Sequence, residues 1–310
     1  MVKKLKIYKN FNILKKHQNS ILLVGNFDGL HLGHQKLFNL AIKYKKEKKV
    51  KLGVITFDPI PKMFFNKELK NYKISNLNQK INYFSKYNVD FVIIKKFNKK
   101  FSKIKSLNFI NKILYKKLKS KYIFVSSNFR FGNKREGDVK LLKSVENKCS
   151  FKIINPKPLK KKNKIISSSL IRKLISKGDL KKANKYLNRN WSIEGTVLQG
   201  RKMGRKIGFP TCNIDLIDYV IAKTGVYAVK VYLENKSNFF RGIANLGYRP
   251  TFNQKKILLE VNLFNFSGNL YNKKLRVEFL KFIRKEVKFK GIDQLKKQIN
   301  LDLKVAKKVK

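Results

Sequence analysis

The chain has 310 residues, of which 43% are hydrophobic, and its formal net charge of +56 comes from 74 basic and 18 acidic side chains. Such a chain builds one large or two ordinary globular domains. Two cysteines cannot form a disulfide framework or, alone, a four-ligand zinc site, which favours a reducing cytoplasm. The apolar runs have strand length, far short of the ~18 residues of a membrane span, and no signal peptide is recognisable.

The positive charge raises the possibility of a nucleic-acid partner, but it is spread along the whole chain. Ten of the 74 basic residues are arginines, and none of these precedes position 130. A nucleic-acid surface usually concentrates its charge and uses arginine for bidentate contacts. We therefore interpret the lysines as a compositional bias on a solvated surface and predict no specific nucleic-acid partner, with loose adhesion to RNA at low salt.

Strands alternate with helices in the first part of the chain. Strands are predicted at SILLVGNF, VKLGVITF, VDFVIIKKF and KYIFVSS, and helices at HLGHQKLFNLAIKYKKEKK, NLNQKINYFSKYN, SLNFINKILYKKLKS and SSSLIRKLISKG. The helix assignments rest on apolar spacing, and the last helix has capping serines and a terminal Gly178. This alternation predicts an α/β domain with a parallel sheet.

The pattern changes after about residue 185. Short β-rich runs follow, WSIEGTVLQG, TGVYAVKVYL, NFFRGIANLG, ILLEVNLFNF and KLRVEFLKFI, and no helical pattern returns until GIDQLKKQINLDLKVAKKVK. Their spacing predicts a small antiparallel barrel or sandwich with a terminal helix. We therefore predict two domains, residues 1–185 and residues 186–310.

Two of the three histidines, His31 and His34, lie in GNFDGLHLGHQKL, between a predicted strand and a predicted helix. Ligands of α/β sheets bind where strands end and helix N-termini present free N–H groups to anions. Gly25, Gly29 and Gly33 allow a tight turn and a close approach of the backbone to a ligand. An isolated histidine pair would be explained better as incidental surface residues. Because strand, glycines and helix occur together, we predict that both histidines donate to phosphate oxygens.

The H-x-G-H signature after a first strand resembles the nucleotidylyltransferases. The stretch GNFDGLHLGHQKL, followed in order by TFDPIPKMFF, SSNFRFGNKREGD and ISSSLIRKLISKGDL, is similar to the adenylyltransferase half of bifunctional riboflavin kinase/FAD synthetases. The resemblance implies a Rossmann-like nucleotidylyltransferase domain, in which the FMN phosphate attacks the α-phosphorus of ATP and pyrophosphate is released. His31 and His34 would bind and polarise the ATP phosphates.

The same resemblance implies further ATP-binding residues. Asn26 and Asp28 would order the turn or contact Mg²⁺. Arg172 would reach the triphosphate from the first turn of its helix, whereas Ser167 and Ser168 would bind ATP or simply cap that helix. The implied set beyond the histidines is Gly25, Asn26, Phe27, Asp28, Gly33, Asn128, Ser167, Ser168 and Arg172.

Four positions depart from the pattern of the family. The family usually has Gly and an acidic residue where Ser126 and Ser127 stand, and often Thr and Arg where Ser169 and Leu170 stand. Ser126 would narrow the approach to adenine, and Leu170 removes one possible phosphate contact. Since both histidines and Arg172 remain, we expect adenylylation to be at worst reduced or altered.

A second glycine-rich stretch, GTVLQGRKMGRKIGFPTCNI, opens the β-rich half. It does not fit the G-x-x-x-x-G-K-[ST] phosphate loop, and no βαβ unit precedes it. Its glycines and basic residues suit a flap over phosphates. Thr211 and Asn213 alternate onto one face of an extended segment and offer neutral oxygens to Mg²⁺. By composition alone, a glycine-kinked barrel corner is the better explanation.

This stretch, together with TGVYAVKV, GIANLGYRPTF, LEVNLFNFSGNLY and FIRKEVKF, resembles the riboflavin kinase domain, a small β-barrel. The resemblance implies that Thr211 and Asn213 coordinate Mg²⁺-ATP and that Glu260 activates the 5′-hydroxyl of riboflavin. The implied ATP-binding set of this half is Gly200, Gly204, Arg205, Gly208, Pro210, Thr211 and Asn213.

Glu260 is also a candidate without the resemblance, because it interrupts the apolar run ILLEVNLF in a chain with 18 acidic residues. A carboxylate in an apolar strand is costly unless it is paired, ligating or catalytic, and partial burial would raise its pKa towards that of a useful base. The alternative is a glutamate on the solvent side of the barrel, paired with a lysine. We predict the catalytic role, and expect Cys212 to be a small buried residue.

Together these patterns predict a cytoplasmic bifunctional enzyme of flavin cofactor biosynthesis. With ATP and Mg²⁺ it would convert riboflavin into FMN and FMN into FAD, as a monomer or a weak homo-oligomer. One alternative is a chain that retains riboflavin kinase activity alone. Another, from a different class, is a basic nucleic-acid-binding protein.

Overall fold

The computed structural model describes residues 5–199, 203–234, 238–250 and 255–309. Two compact units make up the chain. The first contains the described residues up to Leu69 together with Leu77–Ser167, and the second contains Lys70–Asn76 and the described residues from Ser168 onward. The first unit has a parallel sheet with helices and the second has an antiparallel barrel, so both predicted fold classes are confirmed.

The first unit is a parallel sheet of six strands in the order β1-β4-β3-β2-β5-β6. The strands are β1 (Lys6–Tyr8), β2 (Ile21–Val24), β3 (Leu52–Asp58), β4 (Phe91–Lys96), β5 (Tyr122–Phe124) and β6 (Lys152–Ile154). A short hairpin of β7 (Lys160–Lys161) and β8 (Lys164–Ile165) follows. The sequence predicted β2 to β5 but neither β1 nor β6, which are short strands at the two edges of the sheet.

The helices of this unit are α1 (Leu32–Lys48), α2 (Pro61–Phe65), α3 (Leu77–Lys86), α4 (Lys99–Ser102), α5 (Ser106–Asn108) and α6 (Val139–Ser144). A π-helical stretch, Phe109–Lys117, continues α5. Strand β2 lies inside the sheet, and its alternate residues feed two core layers. Leu22 and Val24 belong to one hydrophobic cluster, whereas Ile21 and Leu23 belong to the other. Burial on both faces explains why this strand is a continuous apolar run.

The second unit contains a closed antiparallel barrel in the order β10-β13-β12-β11-β14-β9. The strands are β9 (Ser192–Leu198), β10 (Cys212–Asp215), β11 (Gly225–Leu233), β12 (Phe239–Pro250), β13 (Lys255–Leu263) and β14 (Lys274–Arg284). The helices are α7 (Ser168–Ser176), α8 (Leu180–Leu187), α9 (Met203–Lys206) and α10 (Ile292–Lys308). Closure pairs every strand on both sides, so the barrel has no exposed edge.

Two helices that precede the barrel in the sequence share its core. Ile171 and Ile175 of α7 and Leu187 of α8 are fully buried in one cluster with barrel residues such as Phe279. The cluster also includes Ile74, from the segment Lys70–Asn76. Trp191 fixes that segment by donating its indole N–H to the Ile74 carbonyl at 3.0 Å. The main division between the compact units thus falls after Ser167. The predicted boundary at residue 185 came from the change in sequence pattern, and it stays a prediction about functional domains.

Helix α10 covers part of the outer barrel surface through Ala306, which packs with Val226, Ala228 and Ile243. Arg284 at the end of β14 anchors this helix, because its guanidinium donates to both carboxylate oxygens of Asp302 at 2.7–2.9 Å. No helix in the described part of the chain is long and apolar enough to cross a membrane.

Two candidate active sites

The first candidate site lies in the turn between β2 and α1. The Gly25 N–H extends the sheet by donating to the Ile55 carbonyl at 3.1 Å. The backbone then becomes left-handed at Phe27 (φ 49°), Gly29 (φ 76°) and Leu30 (φ 35°). A left-handed backbone is uncommon for residues other than glycine, so the surrounding structure holds Phe27 and Leu30 in place. This turn places the N-terminus of α1 beyond the carboxyl end of β2.

The two histidines meet at the start of α1. Their rings stack with centroids 3.8 Å apart and planes inclined by 21°. His31 is buried, His34 is half-buried, and the edge of the Phe27 ring meets the His34 ring at 5.3 Å. A Cβ at Gly33 would come within 3.1 Å of the His31 ring and 3.0 Å of the Ile166 carbonyl oxygen. Glycine therefore allows this close packing, and the structure brings both predicted histidines together.

Two buried polar side chains form hydrogen bonds with the backbone of Asn26. Its carbonyl accepts hydrogen bonds from Thr56 Oγ1 at 3.1 Å and from Lys80 Nζ at 3.3 Å, and Lys80 Nζ also donates to Thr56 Oγ1 at 3.2 Å. Thr56 is completely buried and Lys80 is 2% exposed. Sequence reasoning missed both residues. Lys80 lies three residues before half-buried Tyr83 and four before buried Phe84 on α3. One lysine at an apolar spacing is nevertheless hard to notice in this lysine-rich chain.

Two polar side chains of the turn face inward. Asp28 is 2% exposed, and the Asn26 Oδ1 atom is buried. Among the residues that the structure describes, Asn26 Oδ1 has no hydrogen-bond partner. Burying an amide oxygen without a partner is unfavourable, so this atom fits a ligand or loop-ordering role better than a packing role.

The other residues implied for ATP binding fall in several places. Asn128, after β5, is exposed, and its Oδ1 accepts a hydrogen bond from Ser126 Oγ at 3.0 Å. One of the departures from the family pattern thus contacts an implied nucleotide-binding residue. Ser167 is the last residue of the first unit, directly after Ile166, whose carbonyl lies against Gly33.

Ser168 and Arg172 belong to α7 in the second unit. The Arg172 guanidinium stacks on the Tyr72 ring, 3.6 Å from its centroid, and its Nε donates to the Tyr72 carbonyl at 2.7 Å. Arginine is suited to such combined stacking and hydrogen bonding. A role of either residue in binding ATP remains a prediction.

The second candidate site is a row of polar residues across three barrel strands. Glu260 of β13 pairs with Asn213 of β10 on one side and with Asn245 of β12 on the other. Residues directly opposite on antiparallel strands have Cβ atoms about 5 Å apart, so the three side chains are neighbours. The flanking residues Leu259 and Val261 are fully buried in the barrel core. Since side chains alternate along a strand, the row faces the outside of the barrel.

Burial distinguishes the members of this row. Glu260 and Asn245 are half-buried, whereas Asn213 is 7% exposed. Among the described residues, Asn213 Oδ1 has no hydrogen-bond partner. A buried neutral oxygen of this kind suits a hard cation such as Mg²⁺, which takes oxygen ligands. Cys212 is a buried thiol, as expected, and burial raises its pKa to about 12.

The glycine-rich loop folds back on itself just before β10, the strand that carries Asn213. A Cβ at Gly204 of α9 would lie 2.4 Å from the Phe209 carbonyl oxygen and 3.2 Å from Thr211 Oγ1. Gly208 has a left-handed backbone (φ 90°), and Arg205 and Thr211 are exposed. The loop is tight here because the Phe209 N–H donates to the Gly204 carbonyl at 2.8 Å. Gly200, which the resemblance also implied, lies outside the described residues.

Two asparagines of this site escaped sequence reasoning. Asn262, two residues after Glu260 on the same strand face, donates from Nδ2 to the Pro210 carbonyl at 2.7 Å and so fixes the loop. Asn245 donates from Nδ2 to Glu286 Oε1 at 3.2 Å. Both asparagines lie between apolar residues in the sequence, in GIANLG and EVNLF. That interruption was the available signal, and it was recognised for Glu260 alone.

Comparison with known proteins agrees with this division into two centres. The chain matches the FAD synthetase family over residues 13–170 and the riboflavin kinase family over residues 187–310. A bifunctional riboflavin kinase/FMN adenylyltransferase of Buchnera aphidicola (subspecies Schizaphis graminum) is 40% identical and covers 98% of both chains. The protein of the same description from Haemophilus influenzae is 38% identical, and the match covers 94% of both chains. The one from Escherichia coli K12 is 34% identical, and the match covers 92% of this chain and 91% of its own.

A solved structure from Streptococcus pneumoniae, described as a macrolide-efflux protein, has a TM-score of 0.85 and 28% identity and covers 98% of this chain and 99% of its own. That description concerns the pneumococcal protein. The matches first define this chain as an ATP-using transferase with two catalytic domains. More closely, the chain belongs to the bifunctional riboflavin kinase/FMN adenylyltransferase family.

Proposed function

We propose that this chain makes FMN and then FAD at two separate centres. Riboflavin and ATP give FMN and ADP in the domain of residues 186–310, and FMN and a second ATP give FAD and pyrophosphate in the domain of residues 1–185. The observation that carries the proposal is the joint match to FAD synthetase and riboflavin kinase within one chain, together with 40% identity to a bifunctional relative over 98% of both chains.

In the adenylylation step, an FMN phosphate oxygen forms a bond to the α-phosphorus of ATP. The bond from that phosphorus to the bridging oxygen breaks, and its electron pair leaves with pyrophosphate. His31 and His34 donate hydrogen bonds to the phosphate oxygens and stabilise the developing negative charge. Their stacked rings at the start of α1 support this role, because free backbone N–H groups at a helix N-terminus attract the same anion.

The remaining ATP contacts that we propose for the adenylyltransferase reaction come from the turn and from two later segments. Glycine at positions 25 and 33 lets the backbone approach the nucleotide, and the buried oxygen of Asn26 supports a role in ordering the turn. The proposed contact residues are Gly25, Asn26, Phe27, Asp28, Gly33, Asn128, Ser167, Ser168 and Arg172.

In the kinase step, Glu260 takes the proton of the riboflavin 5′-hydroxyl as that oxygen bonds to the γ-phosphorus, and ADP leaves with the electron pair of the broken bond. The position of Glu260 between Asn213 and Asn245 supports this assignment, since the row is reachable from outside the barrel. The folded glycine-rich loop closes on the nucleotide. Its contact residues are Gly200, Gly204, Arg205, Gly208, Pro210, Thr211 and Asn213.

Thr211 Oγ1 and Asn213 Oδ1 would hold the Mg²⁺ ion of Mg²⁺-ATP. The buried Asn213 oxygen, which lacks a hydrogen-bond partner among the described residues, supports this assignment. When bound, the cation neutralises phosphate charge. Thr211 and Asn213 themselves orient the nucleotide towards Glu260.

We further propose that the protein works in the cytoplasm, as a monomer or a weak homo-oligomer, on riboflavin, FMN and ATP. Its two cysteines are unbridged and buried, which suits a reducing compartment. No specific nucleic-acid partner is proposed, because the lysines are scattered along the sequence.

The test is a time course of purified protein with riboflavin, ATP and Mg²⁺, followed by chromatographic separation of the flavins. FMN should appear first and FAD should follow, and a chelator should stop both. A parallel reaction begins from FMN. If FMN accumulates without FAD in the first reaction and added FMN also gives no FAD, the chain has riboflavin kinase activity alone. A folded protein that yields no flavin product would overturn the proposal.

A further inference from the structure

Helix α3 supports the turn of the first site at two points on one face. Lys80 and Phe84 are four residues apart, so they are neighbours along the helix surface. The Lys80 ammonium donates to the Asn26 carbonyl at 3.3 Å and to Thr56 Oγ1 at 3.2 Å. One turn further along, the Phe84 ring packs edge-to-face with the Phe27 ring, with the ring centroids 6.0 Å apart.

Lys80 is 2% exposed, which is unusual for lysine. Lysine normally buries its aliphatic stem and keeps the charged end in water. Here the charged end is inside the unit, and its contacts include two neutral oxygens, the Asn26 carbonyl and Thr56 Oγ1. An apolar residue would fill the same space without the cost of burying a cation. The ammonium's contacts with Asn26 and Thr56 fix the positions of these two oxygens.

The Asn26 carbonyl that Lys80 contacts is connected to the two histidines through Phe27. Asn26 is bonded to Phe27, whose left-handed backbone must be held by its surroundings. The Phe27 ring packs edge-on against the His34 ring at 5.3 Å, and His34 stacks on His31 at 3.8 Å. A shift of the Asn26 peptide would therefore move Phe27 and, through it, both imidazoles.

We propose that Lys80 is a positioning residue of the adenylyltransferase reaction. Its ammonium, together with the Thr56 hydroxyl, fixes the Asn26 carbonyl and so holds Phe27, His34 and His31 in the arrangement that receives the ATP phosphates. This inference rests on the proposed role of the two histidines. The expected effect is on kcat rather than on substrate binding. Misplaced catalytic groups weaken the stabilisation of the transition state more than they weaken binding of the ground state.

The experiment compares Lys80→Met, which keeps most of the length of the unbranched side chain but removes its donors, with Lys80→Arg and with the control Lys86→Met. Lys86 is an exposed lysine of the same helix. In the full-length protein, FAD formation from FMN is measured as kcat and KM. Lys80→Met should lower kcat about 10- to 100-fold with KM for FMN nearly unchanged, since a small misplacement of catalytic groups can cost that much. Lys80→Arg should recover part of the rate, and Lys86→Met should match the original protein.

A second readout follows the histidines themselves. The chain has three, so imidazole resonances of the labelled protein are few enough to assign. His17 is a built-in reference, because it is buried against Phe91 and hydrogen-bonded to Tyr8 Oη. Lys80→Met should shift the His31 and His34 resonances and leave those of His17 in place. A general loss of packing would move all three.

The inference is overturned if Lys80→Met keeps kcat within about twofold of the original protein, or if kcat falls while the His31 and His34 resonances stay unchanged. If Lys80→Met does not fold, Thr56→Val is measured instead, because it removes the hydroxyl and keeps the shape of the side chain. Unchanged resonances and rate in Thr56→Val then overturn the inference. Absence of FAD formation by the original protein would instead overturn the proposed function, so the two failures are distinguishable.

Discussion

The two candidate sites are built in opposite ways. The histidine pair of the candidate adenylyltransferase site depends on one continuous stretch, where a turn with three left-handed residues brings His31 and His34 into contact. The candidate kinase site joins Asn213, Glu260 and Asn245 from three strands through sheet register alone. Each site also has one buried amide oxygen without a hydrogen-bond partner among the described residues, Asn26 Oδ1 in the first and Asn213 Oδ1 in the second. A left-handed turn in the first site and strand register in the second thus each bring together polar groups that we propose act on phosphates.

If the two sites work independently, substitution of the proposed kinase base, Glu260, should separate them most clearly. Glu260→Gln keeps the size of the side chain but cannot accept the proton, so riboflavin phosphorylation should fall about 10²- to 10⁴-fold. FAD formation from added FMN should be unchanged. Initial rates with each flavin measure this, and Glu194→Gln, another half-buried carboxylate of the barrel, is the matched control. Phosphorylation at the original rate would make Glu260 a structural residue.

The reciprocal variant is His31→Ala. The His31 side chain caps no backbone N–H of α1, so its loss should affect chemistry more than the helix. FAD formation should fall about 10²- to 10³-fold, as expected for loss of one preorganised donor. Riboflavin phosphorylation in the same sample is the internal control. Parallel loss of both activities would contradict the independence of the two sites.

A smaller effect is expected from Gly204→Ala in the kinase loop. The new Cβ would lie 2.4 Å from the Phe209 carbonyl oxygen, so the loop must shift away from Thr211. We expect KM for ATP in the kinase reaction to rise about tenfold, because uniform nucleotide binding is weakened. Gly291→Ala is the control, since its Cβ would meet nothing within 4 Å. Equal KM values for the two variants would show that the loop does not contact the nucleotide.

The smallest effect should come from Glu194→Gln and concerns stability. Burial raises the pKa of Glu194, opposed by the hydrogen bond from Asn76 and by the charge of Arg276. The folded state therefore disfavours the ionised carboxylate, and the protein loses stability as the pH rises from the ordinary value of 4.5 through the raised pKa. Above that range the Gln variant, which has no charge to bury, should have a Tm a few °C higher. Melting curves at about pH 4 and pH 8 test this, and an equal difference at both would contradict it.

Some features of this protein were determined by the sequence alone. The buried run ILLV predicted an interior parallel strand, and the change of pattern after residue 185 predicted an all-β half. The turn with His31 and His34 was recognisable for the same reason, because every group in it lies within ten residues. Strand period, helix spacing and turn glycines are local properties, which a sequence displays directly.

Other features were decided by the tertiary structure. Edge strands β1 and β6 are three residues long and carry little pattern of their own, so pairing with a neighbouring strand defines them. The segment Lys70–Asn76 belongs to the second unit through contacts such as the Trp191 indole N–H on Ile74, which no local pattern announces. Asn245 became a neighbour of Glu260 only when β12 and β13 took their register. Register, burial of Lys80 and closure of the barrel depend on residues far apart in the chain, because they arise when whole elements pack.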